Sequence, residues 1–468
     1  MTTKVGLHDL TVAEAGRLIA ARRLSPVEYL DALLGRIEAT EPSLHAFITV
    51  VRDGAAAQAR DAEAEIAAGR RRGPLHGIPF GLKDNYETAG VLTTGNSRLF
   101  ADHVPEADSH AARRLKEAGA ILLGKMALDE LAHGGPSADL PWPAVCNPWN
   151  TDCTAGGSSS GSAAAVAARQ LPFCLGTDTG GSIRSPAGLC GIVGYKPTYG
   201  LVGRSRVIPN SFTFDHCGPM TRTVEDAAIV LGALAGHDPA DPSSVPTDPA
   251  DFAAGLPQDL KDMRIGVVRH FYEDDLPAPE HVRDTMNAAV AVFADLGAAV
   301  EDVSLRPLDD YAAVKMTIQL AEIYSVWEEE LRDRPEVFGE VFRYRTLSGA
   351  LVRGVDYVQA QRQRRLMQQE YAAQMRNFDA VITSGIYGPA PRIRKWDRKA
   401  KFSKPSITVG FSTLGVPAVS LPCGFTDDGM PLALQVAGKA FEDATVLRVA
   451  HAYERAAGWS GRRPHLGG

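Results

Sequence analysis

Two Gly/Ser clusters constrain this chain more than any other feature. Gly156-Gly-Ser-Ser-Ser-Gly-Ser162 and Gly176-Thr-Asp-Thr-Gly-Gly-Ser-Ile-Arg-Ser-Pro186 flank a small-residue stretch, Ser162–Arg169, that reads as a helix. Serine and glycine bury almost no apolar area, so the clusters add little to a core. Two flexible loops are the plain reading. That reading leaves unexplained why Ser182 sits between Gly180-Gly181 and Ile183-Arg184. Consecutive glycines let backbone N–H groups point at one place and form an anion nest. A serine at the mouth of such a nest can attack a carbonyl whose developing oxyanion the nest stabilises.

The rest of the pattern is α/β. Ser25-Pro-Val-Glu28 is a capping box with Pro at the first helical position, and Tyr29, Leu30, Leu33, Leu34 and Ile37 recur behind it at helical spacing. Residues 1–72 therefore read as a helical segment packed on the core, and 73–468 as one continuous α/β unit. Predicted strands are Ile78–Leu82, Ala120–Leu123, Phe173–Leu175, Arg264–Val268, Ala298–Val303, Ala380–Thr383, Ala418–Leu421 and Leu432–Val436. Helices are predicted over Ala111–Ala118, His281–Leu296, Tyr311–Leu331, Tyr357–Met375 and Ala444–Ala456. This alternation predicts an α/β fold with a sheet covered by helices on both faces. Ala240–Gln258 reads as a surface connection. Arg392–Lys401, basic and holding Trp396, reads as a solvated loop.

Composition excludes several classes. The balance of 49 Lys+Arg against 56 Asp+Glu gives a net charge of −7, which argues against nucleic acid or an anionic membrane as the main partner. The 45% hydrophobic and 22% charged content excludes wholesale disorder. The six cysteines are scattered with no CxxC, so neither a zinc site nor any other metal site is expected. No apolar run of about 20 residues exists. The expectation is a cytoplasmic protein with free thiols.

Three motif readings fail on context. Gly157–Gly161 matches the G-x-S-x-G nucleophile elbow, but turn-like residues precede it where a strand is required. Gly119-Ala-Ile-Leu-Leu-Gly-Lys125 resembles a P-loop, yet Met126 replaces the Ser/Thr that would hold Mg²⁺. No S-x-x-K occurs. No histidine lies in the Gly/Ser clusters, which leaves Lys83, at the end of an apolar strand, as the candidate base. Burial there would favour its neutral form, although a lone lysine is more often a surface ion-pair partner.

These segments resemble the amidase signature hydrolases. The two Gly/Ser clusters look like the halves of that family's signature, and His76-Gly-Ile-Pro-Phe-Gly-Leu-Lys-Asp84 like the segment supplying its lysine. Gly194–Gly200, Asp215–Arg222 and Gly415–Gly424 match as well, so the likeness runs from about residue 10 to 456. The resemblance implies a Ser–cis-Ser–Lys triad: Ser182 as nucleophile, Ser158 as bridging serine after a cis peptide bond from Gly157, and Lys83 as base. It implies oxyanion-hole N–H groups on Thr179, Gly180, Gly181 and Ser182, and no cofactor. The fold it implies is a single large α/β domain with a twisted mixed β-sheet. His133 and Gly134 fall in a stretch that lines the family's acyl pocket, and Trp142 and Trp149 are candidate aromatic walls. His133 stands where several members carry an apolar residue, which puts the substrate in doubt and not the chemistry.

The expected activity is hydrolysis of C–N bonds in small-molecule amides, aryl amides among them, through an acyl-enzyme. A carbamate (urethane) hydrolase with the same triad is an alternative. Another is the glutamine-hydrolysing subunit of a tRNA amidotransferase. Arg345 suits the glutamine carboxylate, but Lys404–Thr413 offers no acidic residue for the amine. A non-catalytic amide-binding protein is the rival from another class. The partner expected is a small-molecule substrate, with no nucleic acid and no membrane; a homodimer is compatible with the sequence.

Overall fold

The computed structural model describes residues 6–247, 250–395 and 405–466. In chain order the helices are α1 (Val12–Ala20), α2 (Pro26–Leu44), α3 (Arg52–Ala67), α4 (His110–Glu117), α5 (Ser160–Ala167), α6 (Arg184–Cys190) and α7 (Val224–Leu234). They continue with α8 (Glu280–Asp295), α9 (Leu308–Asp333), α10 (Glu340–Thr346), α11 (Gly354–Gln374), α12 (Val409–Leu414) and α13 (Asp443–Ala457). The strands are β1 (Phe47–Val50), β2 (Pro79–Lys83), β3 (Ile121–Met126), β4 (Cys146–Asn147), β5 (Asn150–Thr154), β6 (Phe173–Asp178) and β7 (Val193–Lys196). They end with β8 (His216–Thr221), β9 (Arg264–Val267), β10 (Ala299–Asp302), β11 (Ala380–Ser384), β12 (Ala418–Phe425) and β13 (Pro431–Ala437).

Eleven of these strands form one mixed sheet in the order β1-β3-β2-β6-β8-β7-β12-β13-β11-β9-β10. Strands β3, β2 and β6 run parallel, and β6, β8, β7, β12 and β13 alternate antiparallel. Every residue of β2, β3, β6, β8 and β13 is buried. Strands buried on both sides need cover on both faces, and helices provide it.

The capping box forms as predicted, with the Ser25 hydroxyl accepting from Val27 and Glu28. Five strands escaped the pattern reading: β4 and β5 pair in a small sheet of their own over a stretch read as turn-like, and three more belong to the main sheet. The segment 1–72 is not wholly helical: β1 joins the sheet edge antiparallel to β3, pairing Phe47 with Met126. Its four half-buried residues are too few to show a period. Strands β7 and β8 lie near the centre of the sheet although Gly194 and Gly218-Pro219 read locally as turn residues. Tertiary pairing overrides the local signal there, with Leu175 opposite Pro219 and Gly176 opposite Gly218.

Helix α5 explains the small residues. All eight of its residues are buried. The Gly161 N–H donates to Ala127 O at 2.9 Å. A Cβ on Gly161 would stand 2.3 Å from Ala46 O and 2.6 Å from Ala127 N. Glycine and serine let this helix lie against the backbone that leads into the site. Gly161→Val should therefore cost at least about 2 kcal/mol, because the obstructing atoms are backbone and cannot rotate away. A chemical-denaturation midpoint unchanged from wild type would refute this account of α5.

Candidate active site

Lys83 ends β2 and is fully buried. The next residue, Asp84, pairs with a second buried lysine, Lys125, at 3.0 Å. Among the described residues no carboxylate lies within ion-pair distance of Lys83. Its Nζ instead donates to Ser158 Oγ at 2.6 Å and to Thr177 Oγ1 at 2.8 Å. The Asn85 amide donates to the same Thr177 hydroxyl at 3.2 Å. Burial pulls the Lys83 ammonium down to about 7, against weaker opposing pulls from Asp129, Asp215 and Asp178. Near neutral pH its amine is thus available to accept a proton.

The peptide bond between Gly157 and Ser158 is cis. The Ser158 carbonyl accepts from the Asp129 N–H at 3.2 Å, and the Ser159 N–H donates to Ser182 O at 3.1 Å. The Ser182 backbone therefore lies against the residue that follows Ser158, with Ser158 buried and Ser182 half-buried. The structure thus brings the stretch of Lys83 against that of Ser158, and the stretch of Ser158 against that of Ser182.

A buried ion pair shapes the turn that carries Ser182. Asp178, the last residue of β6, meets Arg184, the first of α6, with contacts of 3.0 and 3.1 Å. Burial alone would raise the Asp178 carboxyl. Arg184, with help from Lys196 and His216, outweighs that and holds it well below the usual carboxylate range. The same carboxylate accepts from the N–H groups of Gly181 (2.7 Å) and Ile183 (3.2 Å). Gly181 has φ +129°, where a side chain is disfavoured, and a Cβ would strike Thr408 Oγ1 at 2.0 Å. The expected oxyanion set needs one correction: the Gly181 N–H is committed to Asp178. Those of Thr179, Gly180 and Ser182 donate to no protein acceptor among the described residues. The Thr179 hydroxyl donates to Asp215 at 2.6 Å and the Gly180 carbonyl accepts from Thr408 at 2.7 Å, which fixes the turn on both sides.

His133 and Gly134 continue from Asp129. Leu131 and Ala132 have φ of +47° and +60°, an uncommon conformation for residues with side chains. The Leu131 N–H donation to Gly95 O and the Asn210 amide donation to Ala132 O hold them there. His133 is buried, edge-on to Phe342 of α10, with Nδ1 3.4 Å from the Gln319 amide. Gln319 in turn donates to Asn210 at 2.5 Å, and the Gly134 carbonyl accepts from Arg345 at 2.7 Å. The two tryptophans are corrections. Trp149 donates its indole N–H to Cys190 O at 2.8 Å and packs on Phe425. Trp142 lines a separate cavity with Ile37, Phe47 and Pro143. Large aromatic rings far from any periodic run gave no sign of where they pack. Trp396 lies outside the described residues.

Sequence reasoning missed Thr177, Asn85, Asp178 and Arg184. The Gly-Thr-Asp-Thr-Gly-Gly run held Thr177 and Asp178 in view, but their partners lie up to 251 positions away, as Gln435 does from Arg184. Among the described residues no three His, Cys, Asp or Glu side chains converge as metal donors, and no helix is long and apolar enough to cross a membrane.

A family profile described as Amidase matches residues 28–447. The chain belongs to the amidase signature family. A glutamyl-tRNA(Gln) amidotransferase subunit of Chloroflexus aurantiacus is 39% identical to it over 98% of this chain and 99% of the relative. The peptide amidase of Stenotrophomonas maltophilia superposes with a TM-score of 0.86 at 31% identity, covering 98% of both chains. The corresponding glutamyl-tRNA(Gln) amidotransferase subunit of Thermotoga maritima superposes at 0.82 and 32% identity, covering 97% of this chain and 96% of the other. The family is one of hydrolases, and this chain is an enzyme of it.

The relatives overturn the expectation that excluded a nucleic-acid partner. A net charge of −7 averages over one chain. A relative named as one subunit of a tRNA amidotransferase shows that such an average does not decide what an assembly handles.

Arg184→Met should lower stability by about 3–5 kcal/mol, because it strands the Asp178 carboxylate in a dry core. The contribution of this pair is present above the ordinary carboxylate pKa and lost as pH falls through the lowered folded value. Urea titration of the variant at pH 7 checks the first part. A loss below about 1 kcal/mol would show the pair to be incidental.

Proposed function

We propose that the chain is a serine hydrolase of amide C–N bonds, with Ser182 as nucleophile, Ser158 as relay and Lys83 as base. The observation that carries this reading is the 2.6 Å contact from Lys83 Nζ to Ser158 Oγ at a lysine that burial brings down to about 7, so that a large fraction of it can accept a proton near neutral pH. As Ser182 Oγ attacks the amide carbonyl, its proton passes to Ser158, whose own proton passes to the Lys83 amine. The N–H groups of Thr179, Gly180 and Ser182 meet the developing oxyanion. The proton returns along the relay to the leaving nitrogen, the C–N bond breaks and an ester with Ser182 remains. Water, deprotonated by the same relay, attacks that ester and releases the acid. A carbamate fits the same steps, the product acid then losing CO₂.

The substrate we favour is a small amide with a planar or aromatic acyl part, seated against His133 and Phe342. Described residues 405–413 support it over glutamine. They hold no carboxylate, Thr408 is spent on Gly180, and Ser412 accepts from Arg184 at 2.5 Å. The second reading is the glutamine-hydrolysing subunit of a tRNA amidotransferase, favoured by 39% identity to a protein of that name over nearly the full length.

Ser182→Ala should abolish turnover, and Lys83→Ala and Ser158→Ala should each depress it severely, with combined losses far from additive. Near-wild-type rates for purified Ser182→Ala would overturn the mechanism. The pH profile follows from Lys83: kcat/KM should fall tenfold per unit below about 7, where the amine is protonated, and level off above it. Assays of the purified chain on aryl amides, aliphatic amides, carbamates and glutamine separate the two readings. We expect aryl amides to be cleaved without a partner. Ammonia release from glutamine at a comparable kcat/KM would favour the second. His133→Met should change the aryl-to-aliphatic ratio with Tm intact, and an unchanged ratio would leave His133 as packing alone.

A further inference from the structure

At the far end of α5 from Ser158, four guanidinium groups gather around one carboxylate. Arg36 reaches in from α2 and donates Nε to Ala168 O at 2.9 Å. Arg169 follows α5 with φ +63°, a conformation usually left to glycine. Arg222 follows β8, and one of its terminal nitrogens donates to Asp9 O and Leu10 O. Arg463 comes from the C-terminal tail and donates to both oxygens of Asp9 at 3.1 and 3.2 Å. His8, Asp9, Arg36, Arg169, Arg463 and His465 line a cavity of about 180 Å³ here.

Among the described residues the charges do not balance. Asp9 is the carboxylate that pairs in this cluster, and it serves both Arg169 and Arg463. Asp226 also feels Arg222 but forms no ion pair with it among the described residues, and its own carboxyl is pushed up to about 6 by burial. Among the described residues two donors are left over: Arg169 Nε, on the cavity, lies 3.3 Å from Asp9 but out of line for a hydrogen bond, and Arg222 Nη1, behind it, has no acceptor; both atoms are buried. Burial, then Arg222, bring the Arg169 guanidinium down to about 10, with further repulsion from Arg463 and Arg36. A chain carrying net charge −7 has no general reason to concentrate cations at one buried place. Buried guanidinium donors without acceptors cost free energy unless an anion satisfies them.

We propose that this cavity binds a phosphate dianion, either free or as the phosphate group of a small monoester. Guanidinium forks match tetrahedral oxyanions bidentately, and the three that line the cavity, Arg36, Arg169 and Arg463, against the one carboxylate of Asp9 leave room for a charge of −2. The site joins the N-terminal turn, α2, the end of α5 and the C-terminal tail. Its occupancy therefore ties both chain ends to the helix whose other end meets Ser158. Eight residues of α5 put that other end about 12 Å away.

The test uses the full chain. Inorganic phosphate should raise Tm saturably by at least about 2 °C above sodium chloride of equal ionic strength. Titration calorimetry with phosphate should then give one site per chain. Arg169→Gln should weaken phosphate at least tenfold while leaving the ligand-free Tm equal or higher, since it removes a repelled cation. Should that variant fail to fold, Arg463→Gln, on the half-exposed tail, must show the same loss of response. Comparing inorganic phosphate with a nucleoside monophosphate tells the two sources apart, the tighter binder identifying the ligand. A Tm response no larger than that to chloride, or a phosphate response kept in both variants, would overturn the site. None of these readouts depends on amide hydrolysis.

Discussion

The ion pair between Asp178 and Arg184 is the contact on which the rest of the active region depends. It spans six residues, yet the turn between them carries Ser182 and the glycines that free its N–H groups. Arg184 also reaches Thr408 O, Gln435 and Ser412. One guanidinium therefore joins the turn after β6 to α12 and β13, elements more than 220 positions later in the chain. A buried charge is tolerated only when its hydrogen-bonding capacity is filled, and here the filling is what fixes the turn.

Three buried lysines show how differently the same side chain can be handled. Lys125 has Asp84 as an ion partner. Lys196 donates to the carbonyls of Val416 and Pro197, and burial together with Arg184 brings it down to about 7. Lys83 is brought to the same value, but its partners are the hydroxyls of Ser158 and Thr177. The lowered pKa is thus common to Lys83 and Lys196 and does not single out a base. The serine at 2.6 Å does. Burial makes an amine available, and a hydroxyl at hydrogen-bond distance gives it a proton to take.

Membership of the amidase signature family fixes the hydrolase fold and leaves the substrate open. Curated relatives carry the name of an amidotransferase component, while peptide amidase superposes as well as the Thermotoga maritima protein does or better. In the proposed reading the walls of the substrate pocket include His133, Gln319, Asn210 and Phe342, which come from four distant segments. Those walls are set by packing around Leu131 and α10 rather than by any contiguous motif.

Lys83 and Ser182 stood out in the sequence as candidates because each sits in a short run whose residue types have few other uses, and Ser158 followed from the family resemblance; the contact of Lys83 with Ser158 is what the structure shows. The alternation of strands and helices, the Ser25 cap and the buried small-residue helix were legible for the same reason, since local periodicity and capping chemistry write them into neighbouring residues. Strands β1, β4, β5, β7 and β8 were not, because a few part-buried residues, a turn-rich stretch or an internal Gly-Pro carry no strand signal until partner strands supply the hydrogen bonds. The commitment of the Gly181 N–H to Asp178, the structural place of Trp149 and Trp142, and the gathering of Arg36, Arg169, Arg222 and Arg463 were decided by tertiary structure alone. Hydrogen bonds and charge clusters of this kind depend on distances between residues far apart in the chain, and a linear order of residue types does not contain those distances.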